Sequence, residues 1–228
     1  MPSIKVGRLV RCTVVKDLPG KDTYLALITG TELLASLPKR YANRTYGQGE
    51  ELTAAVFMTT EGRISLSQRS PQYFRRITEE TLAEIIRAGK VRVRKAASVV
   101  NGAFAKVSIE GLGSVDPLSV SLPYLDKVKA YTTDTITVVR YSPNMKEYIV
   151  NSLVPAPAEK VTQVLYSQSL REAIVRVDPR YCGFFVGKGG TNVATAAKLL
   201  NVKIVIKSAE QEIAGTRERG AEHVRAQW

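Results

Sequence analysis

The residues best suited to chemistry form a glycine turn near the end of the chain, in the stretch GFFVGKGGTNVATAAKLL at 183–200. Gly187 and Gly190 enclose Lys188 and Gly189 in a G-x-x-G pattern. Glycine lets a backbone turn tightly and lets another chain approach it without a Cβ in the way. A helix start after such a turn offers free N–H groups and the positive end of a dipole, so we expect a phosphate to bind here.

Two small-ligand motifs resemble this turn, and both differ from it in spacing. A nucleotide-binding P-loop needs G-x-x-x-x-G-K-[ST], but Gly183 lies one residue too close to Gly187, and Gly189 stands where the hydroxyl should be. A dinucleotide fingerprint needs G-x-G-x-x-G, and Asn192 occupies its third glycine position. A phosphate-handling enzyme that uses the Gly-Lys-Gly-Gly turn therefore stays an unfavoured alternative.

The segments around the turn favour a nucleic-acid backbone as the source of the phosphate. Val193, Ala196, Ala197 and Leu200 recur at helical spacing and predict one apolar helix face. The segment 203–207 then reads as a β-strand. Helix, G-x-x-G, helix and strand form the core of a KH domain, whose loop clamps about four nucleotides of a single strand.

Charge supports a polyanionic partner. The chain of 228 residues has 33 Lys and Arg against 21 Asp and Glu, a formal net charge of +12. Between residues 160 and 207 there are eight basic side chains against two acidic ones. Such an excess of basic residues suits a nucleic acid or another anionic surface, although it does not determine the fold.

Few residues are available for catalysis or metal binding. The single histidine, His223, lies in the C-terminal tail, and Cys12 and Cys182 are too far apart in sequence for a disulfide framework or a zinc motif. Ser-His and Cys-His arrangements are therefore disfavoured. We expect no catalytic residues, no metal and no cofactor, and hence not an enzyme.

Membrane and export signals are absent from the sequence pattern. No apolar run approaches the roughly 20 residues that a membrane helix needs. The opening residues MPSIKVGRLVRC lack the hydrophobic region of a signal peptide. We expect a cytoplasmic protein without a membrane partner.

Alternating patterns in the first third of the chain predict a small β-barrel. Five segments alternate apolar and polar residues between turn-rich pieces, namely 4–15, 23–28, 32–37, 51–60 and 63–68. Five short strands over about 65 residues are typical of an OB-type barrel.

The remainder predicts two diverged copies of one unit. Ser70-Pro71 and Thr78 are helix-start signals, Gly89 is a stop signal, and Asn101-Gly102 predicts a hairpin turn. The other predicted elements are strands at 90–99, 103–111 and 135–140, helical stretches at 117–130 and from Ser142-Pro143 to Leu153, then strands at 160–168 and 171–178 and a short helix at 179–186. Both copies follow an α-β-β-α-α-β order, that of type II KH domains.

Residues 1–207 resemble the S1–KH–KH core of the NusA family of bacterial transcription factors. The resemblance is carried by RISLSQRSPQYFRRI at the end of the barrel, VDP at 115–117, and FFVGKGGTNVATAAKLLNVKIVI near the end. The last stretch matches the family pattern Ile-Gly-x-x-Gly-x-Asn-Val, which adds Asn192 and Val193 to the expected site.

The resemblance implies an α+β multidomain protein, an S1 (OB-type) β-barrel followed by two type II KH domains. The expected divisions are an S1 domain at 1–70, a degenerate first KH domain at 71–153, a second KH domain at 154–207, and a frayed or disordered tail at 208–228. S1 begins almost at Met1, whereas full-length members carry an N-terminal polymerase-binding domain, so we expect a reduced paralogue or a fragment.

Three departures from the family affect the expected site. Residues 121–124, Ser-Leu-Pro-Tyr, stand where the first KH domain should carry its glycines, so that copy is expected to be structural. The histidine and aspartate that many S1 domains use are replaced near Ala35 and Thr60. Tyr24 and Arg63 remain as S1 candidates, and Tyr24 either stacks a base or packs at the barrel rim.

The predicted function is single-stranded RNA binding on nascent transcripts, in pausing, termination or antitermination. Lys188 would pair with phosphate, and Gly187, Gly189 and Gly190 would permit close approach. Val193, Ile204 and Ile206 would form an apolar floor for bases, which core packing explains equally well. Expected partners are single-stranded RNA, an RNA polymerase elongation complex bound weakly or with RNA assistance, and other Nus-type factors. The alternative is an RNA-processing or ribosome-associated S1/KH scaffold.

Overall fold

A computed structural model describes residues 4–60, 63–99 and 103–209. The predicted Asn101-Gly102 turn, His223 and the tail from residue 210 onward lie outside the described residues. Contacts divide the chain once, into units Met1–Tyr141 and Ser142–Trp228. The finer domain divisions predicted above stay predictions. Among the described helices, none has the length and apolarity that a membrane crossing requires.

The first unit begins with a closed, OB-like barrel of five strands. These strands are β1 (Leu9–Leu18), β2 (Thr23–Ile28), β3 (Leu34–Pro38), β4 (Glu51–Thr60) and β5 (Arg63–Ser67). They close in the order β1-β2-β3-β5-β4. The β3–β5 pair is parallel and the other pairs are antiparallel. The five strands predicted from apolar alternation are confirmed.

The barrel core follows from the two-residue period of its strands. Tyr24, Ala26 and Ile28 point inward from β2, and Cys12 and Val14 do so from β1. Successive strand side chains point to opposite faces, so one apolar set fills the interior. Burial raises the pKa of the Cys12 thiol to about 12, which leaves it protonated and unreactive near neutral pH.

A three-stranded sheet with helices on it completes the first unit, and residues 71–141 are called the first sheet module below. Its elements are α1 (Pro71–Thr81), α2 (Ala83–Arg87), β6 (Val91–Val99), β7 (Phe104–Gly111), α3 (Pro117–Leu125), and β8 (Thr135–Arg140). The predicted cap is confirmed, because Ser70 Oγ accepts from Tyr73 N at 3.2 Å. The start predicted at Thr78 is wrong. Thr78 is buried inside α1, where its hydroxyl donates to the Phe74 carbonyl at 2.8 Å.

A polar network joins the barrel to the first sheet module. Gln68 Nε2 donates to the Tyr46 hydroxyl at 2.8 Å, and that hydroxyl donates to Asn43 Oδ1 at 2.8 Å. Asn43 Nδ2 in turn donates to the Tyr131 carbonyl at 2.7 Å, which also accepts from the Tyr73 hydroxyl at 2.5 Å. Buried polar groups that satisfy one another fix a single geometry, so this network defines how the two parts of the unit pack.

The second unit has the same kind of sheet. It contains α4 (Met145–Ser152), β9 (Val161–Ser167), β10 (Glu172–Val177), α5 (Cys182–Val186), α6 (Thr191–Leu200) and β11 (Lys203–Ser208). The helix predicted from Ser142-Pro143 begins later, because Asn144 caps it through Oδ1, which accepts from Lys146 N at 3.0 Å.

The sheet topology repeats between the units. In each sheet the middle strand pairs antiparallel with the preceding strand and parallel with the last one. A Val-Asp-Pro sequence lies after the middle strand of the first sheet, at 115–117, and at the end of that of the second, at 177–179. Asp116 and Asp178 each accept from a backbone amide two or three residues on. The predicted repetition of one element order is therefore visible in the strand pairing.

A buried lysine in the first sheet module yields a stability prediction. Lys106 lies on β7, is fully buried, and has its Nζ 5.2 Å from the Phe104 ring centroid. Burial lowers the pKa of this ammonium group from 10.5 to about 7. A shift of this size corresponds to about 5 kcal/mol, so we expect Lys106→Met to raise the unfolding free energy at or below neutral pH by up to that amount.

The gain should shrink as the pH rises from about 7 to 10.5. In that interval the unfolded wild-type chain still binds a proton that the native state has released, so wild-type stability rises with pH. Denaturant unfolding of both proteins across this range measures the difference. A gain in unfolding free energy that is independent of pH would contradict the conclusion that burial of the Lys106 ammonium group destabilises the protein.

Candidate nucleic-acid interface

The predicted glycine turn is a short loop between α5 and α6 of the second unit. Lys188–Gly190 form a 3₁₀ turn in which Gly190 N donates to the Gly187 carbonyl at 3.0 Å. Gly187, Gly189 and Gly190 have φ values of 75°, 58° and 75°. This left-handed region is unfavourable for residues with a Cβ, so the loop needs its glycines for conformation alone.

Gly187 has a second constraint, which is contact with Asn192. A Cβ at Gly187 would lie 2.7 Å from Asn192 Cβ and 2.9 Å from Asn192 N. By contrast, a Cβ at Gly189 or Gly190 would meet nothing within 4 Å. Gly187 is therefore required by packing inside the protein, whereas the open side of Gly189 and Gly190 leaves room for a ligand backbone.

The buried side chain of Asn192 ties the loop to its surroundings. Its Nδ2 donates to the carbonyls of Leu153 at 2.8 Å, Phe185 at 3.0 Å and Phe184 at 3.4 Å. These bonds join the start of α6 to the end of α4 and to α5. Asn192, expected at the site, therefore acts by positioning the loop, since its amide faces inward.

Helix α6 begins directly from the loop without a side-chain cap. Its N-cap residue is Gly190, whereas Ser70, Asp116 and Asn144 cap α1, α3 and α4 through their side chains. Thr191 N already donates to the Lys188 carbonyl, whereas the amides that follow it in the first turn of α6 lack intrahelical acceptors. Together with the helix dipole, these amides make the start of α6 a suitable place for an anionic oxygen.

The surroundings of the loop are basic. Lys188 is exposed at its tip, and the Arg180 side chain is 81% exposed. Asp178 pairs with that guanidinium at 2.8 Å, which lowers the pKa of the Asp178 carboxyl and keeps it ionised. Lys203 is paired with Glu172 at 2.9 Å. Lys188 thus contributes the charge nearest to the glycines.

The apolar residues predicted as a floor for bases belong largely to the core. Ile204 and Ile206 lie opposite Ala173 and Val175, which are fully buried, in the β10–β11 register. Ile204 is buried and Ile206 is half-buried. These two side chains face the core side of the sheet, and Ile206 retains partial exposure.

Helix α6 is rotated from the apolar face predicted for it. Its buried face consists of Asn192, Thr195, Ala196, Leu199 and Leu200. Val193 and Ala197 are only half-buried. Two polar residues enter the core with their donors satisfied: Thr195 Oγ1 donates to the Thr191 carbonyl at 2.6 Å, and Asn192 Nδ2 donates to the Leu153 carbonyl at 2.8 Å. Val193 is left at the margin, partly accessible.

The two S1 candidates lie in the barrel of the first unit, and their environments differ. Tyr24 is 1% exposed, its hydroxyl accepts from Tyr46 N at 3.3 Å, and the two rings meet edge to face at 5.8 Å. Its ring packs in the core, so the stacking role predicted for Tyr24 does not fit this structure. Arg63 is exposed at the start of β5.

Residues 121–124 contain no loop. Ser121, Leu122, Pro123 and Tyr124 lie inside helix α3, where Ser121 is buried and Leu122 is exposed. Helical backbone here occupies its own amides in hydrogen bonds. These residues therefore form no glycine turn like that of 187–190, and the purely structural role expected for this module stays a prediction.

Two aromatic residues beside the loop were missed as site candidates. Tyr181 and Phe184 have ring centroids 5.9 Å apart, and Phe184 is 65% exposed, whereas its neighbour Phe185 is fully buried. The Phe-Phe pair was visible in sequence, but which ring faces outward depends on the rotation of α5.

As for metals, within residues 4–60, 63–99 and 103–209 no three His, Cys, Asp or Glu side chains cluster as ligands would.

The chain is similar to curated bacterial NusA proteins, which confirms the resemblance seen in the sequence. The "Transcription termination/antitermination protein NusA" of Halalkalibacterium halodurans is 29% identical over 204 residues, which are 84% of this chain and 52% of that protein. The protein of the same name from Bacillus subtilis is 28% identical over 205 residues, 86% of this chain and 54% of its own. This chain spans about half the length of these two relatives.

The other comparisons with known proteins give shorter or weaker matches. The NusA of Rickettsia prowazekii is 30% identical over 117 residues, 49% of this chain and 23% of its own. No protein-family model matches the chain. The solved structure described as "Crystal structure of APE1850" covers 60% of this chain and 97% of its own, at a TM-score of 0.43 and 15% identity, and it supports no functional conclusion.

The contact between Gly187 and Asn192 yields a matched pair of glycine substitutions. We expect Gly187→Ala to lower the unfolding free energy of the second unit by roughly 2 kcal/mol or more, because it adds left-handed strain to a steric overlap. Gly183→Ala is the control, since its Cβ would meet nothing within 4 Å and it lies inside α5. That change should be neutral or mildly stabilising.

Hydrogen exchange of the amides in α5 and α6, measured in the full chain beside denaturant unfolding, checks both expectations. Equal effects of the two substitutions would show that the overlap with Asn192 does not constrain the loop.

Proposed function

We propose that this protein binds single-stranded RNA through the glycine loop of its second unit, and that this unit is a type II KH domain. The element order α4-β9-β10-α5-α6-β11, with a glycine loop between α5 and α6, supports the assignment. By the same reasoning the barrel is an S1 domain, and the first sheet module is a KH domain without a glycine clamp. Arg63 is retained as a barrel contact.

The observation that carries the proposal is the combination of three positive-φ glycines, an exposed lysine and an uncapped helix start in one loop. A sugar-phosphate chain passing over Gly189 and Gly190 would meet no Cβ. Its phosphates would accept from the first-turn amides of α6 and pair with Lys188. Val193 and Ile206, both partly accessible, would contact the bases.

We further propose that the RNA is a nascent transcript and that the protein acts in pausing, termination or antitermination. This step rests on the relatives to which the chain is similar, each of which is named "Transcription termination/antitermination protein NusA". The partners proposed are the RNA polymerase elongation complex, bound weakly or with RNA assistance, and other Nus-type factors. The role is non-enzymatic and cytoplasmic.

The first test of the loop is Gly189→Asp. The substitution places a carboxylate and a Cβ on the path proposed for the RNA backbone, so single-stranded RNA affinity should fall at least tenfold, about 1.4 kcal/mol. Fluorescence anisotropy with a labelled single-stranded RNA measures this loss. Folding should be little affected, because a Cβ there meets nothing within 4 Å and aspartate tolerates a left-handed conformation.

Gly30→Asp is the matched control. Gly30 lies between β2 and β3, has a φ of 75°, and offers open space to a Cβ. The Gly30→Asp substitution therefore introduces the same charge and similar backbone strain far from the glycine loop in sequence. Equal losses in the two variants would point to general charge repulsion, and an unchanged affinity in a folded Gly189→Asp protein would refute the site.

The transcription role predicts an effect on RNA polymerase. In a reconstituted assay the protein should change pause lifetimes or termination efficiency, and Gly189→Asp should remove most of that change. Binding to polymerase should be weak without RNA and stronger once a transcript is present, because a chain of net charge +12 is attracted to RNA.

Saturating protein that leaves pausing, termination and antitermination unchanged on several templates, with Nus-type partners supplied, would contradict the transcription role. RNA affinity retained in that case would favour an RNA-processing or ribosome-associated scaffold instead.

A further inference from the structure

A pair of aromatic rings, the exposed Phe184 and the half-buried Tyr181, lies immediately before the glycine loop. Tyr181 and Phe184 are three residues apart, and their ring planes meet at 38° with centroids 5.9 Å apart. Phe184 is 65% exposed. This pair is called the aromatic platform below. A single exposed apolar residue needs no explanation, but two rings held together beside a candidate anion site form a surface of defined chemistry.

Positive charge surrounds the aromatic platform. Lys160 Nζ lies 5.2 Å from the Tyr181 ring centroid. The exposed side chains of Arg180 and Lys188 precede and follow the platform in the chain, and Arg180 is also paired with Asp178 at 2.8 Å. Rings interleaved with cations suit a polyanion that carries flat aromatic groups, which is the chemistry of a single-stranded nucleic acid. An apolar protein partner would gain nothing from these three cations.

The platform and the glycine loop are fixed to each other. Asn192, the second residue of α6, donates through Nδ2 to the Phe184 carbonyl at 3.4 Å and to the Phe185 carbonyl at 3.0 Å. Phe185 anchors α5 in the core, fully buried. A strand clamped at the loop would therefore pass the platform at a constant distance.

We propose that the aromatic platform stacks one nucleobase of the RNA whose backbone is bound at residues 187–190. This inference rests on the function proposed above and adds a contact to it. Stacking on an aromatic ring tolerates any base, because every base has a π-face. The platform would thus add affinity with little sequence preference, and Lys160 would hold the Tyr181 ring in place by a cation–π contact.

The test uses three variants of Phe184 in the full chain and a single-stranded RNA of about ten nucleotides. Phe184→Ala should weaken binding about tenfold. Phe184→Trp should retain wild-type affinity because it keeps a ring. Phe184→Leu should lose nearly as much as Phe184→Ala, since leucine preserves apolar area but offers no π-face.

Abasic RNAs identify the stacked base directly. One abasic position should weaken wild-type binding about tenfold, and the same RNA should bind wild type and Phe184→Ala equally well. This coupling is the signature of a contact between that base and the ring. Wild-type binding that is insensitive to every abasic position would overturn the platform without requiring any variant to fold.

The remaining outcomes separate this inference from the proposed function. If Phe184→Ala binds like wild type while Gly189→Asp loses affinity, the proposed base stacking on the aromatic platform is wrong, and the proposed RNA binding at the glycine loop is supported. If Phe184→Leu retains full affinity, the surface is merely apolar, as for a protein partner, and base stacking is overturned. If neither Phe184→Ala nor Gly189→Asp changes RNA affinity, both proposals fail.

Discussion

Gly187 can pass beside Asn192 only because it has no side chain, since a Cβ would stand 2.7 Å from that of Asn192. This close approach lets the buried amide of Asn192 reach three carbonyls on two other segments. Two of these hydrogen bonds are buried, at 2.8 and 3.0 Å, and the third is partly buried, at 3.4 Å; together they fix the direction in which α6 leaves the loop. The shape of Lys188–Gly190, the open side of its glycines and the point at which α6 begins all depend on this one packing arrangement.

The two sheets show how one topology can carry different surfaces. Both pair their three strands antiparallel and then parallel, and in both the middle strand is followed by a capping aspartate and a proline. In the second unit the next segment breaks at three glycines, which exposes helix amides beside a lysine. In the first unit the corresponding stretch continues as α3, and its backbone is used internally. On this account RNA affinity is concentrated in the second unit, while the first contributes a barrel and a structural sheet module joined by the network around Tyr46 and Gln68.

Much of this fold could be predicted from local patterns, because strand alternation, caps and glycine stops are short-range signals. The five barrel strands and the cap at Ser70 were predicted for that reason. The rotation of helices could not be predicted in the same way. Thr78 and Thr195 lie buried because their hydroxyls bond to carbonyls within their own helices, and apolar periodicity does not report such bonds. The exposure of the site residues could not be predicted from the sequence for the same reason. Tyr24 faces inward, and Phe184 rather than Phe185 faces outward, because the packing of the surrounding elements decides which side chain is exposed.

The central claim is that RNA is held by the loop of the second unit, and NMR of the full chain tests it most directly. Titration with single-stranded RNA of about ten nucleotides should shift the backbone amides of Lys188, Gly189 and the first turn of α6 most strongly. A duplex of the same sequence should leave these amides nearly unchanged, because its paired strands cannot place one backbone in the loop with its bases exposed. Largest shifts in the barrel or in α3, with the amides of the glycine loop unmoved by single-stranded RNA, would contradict the account.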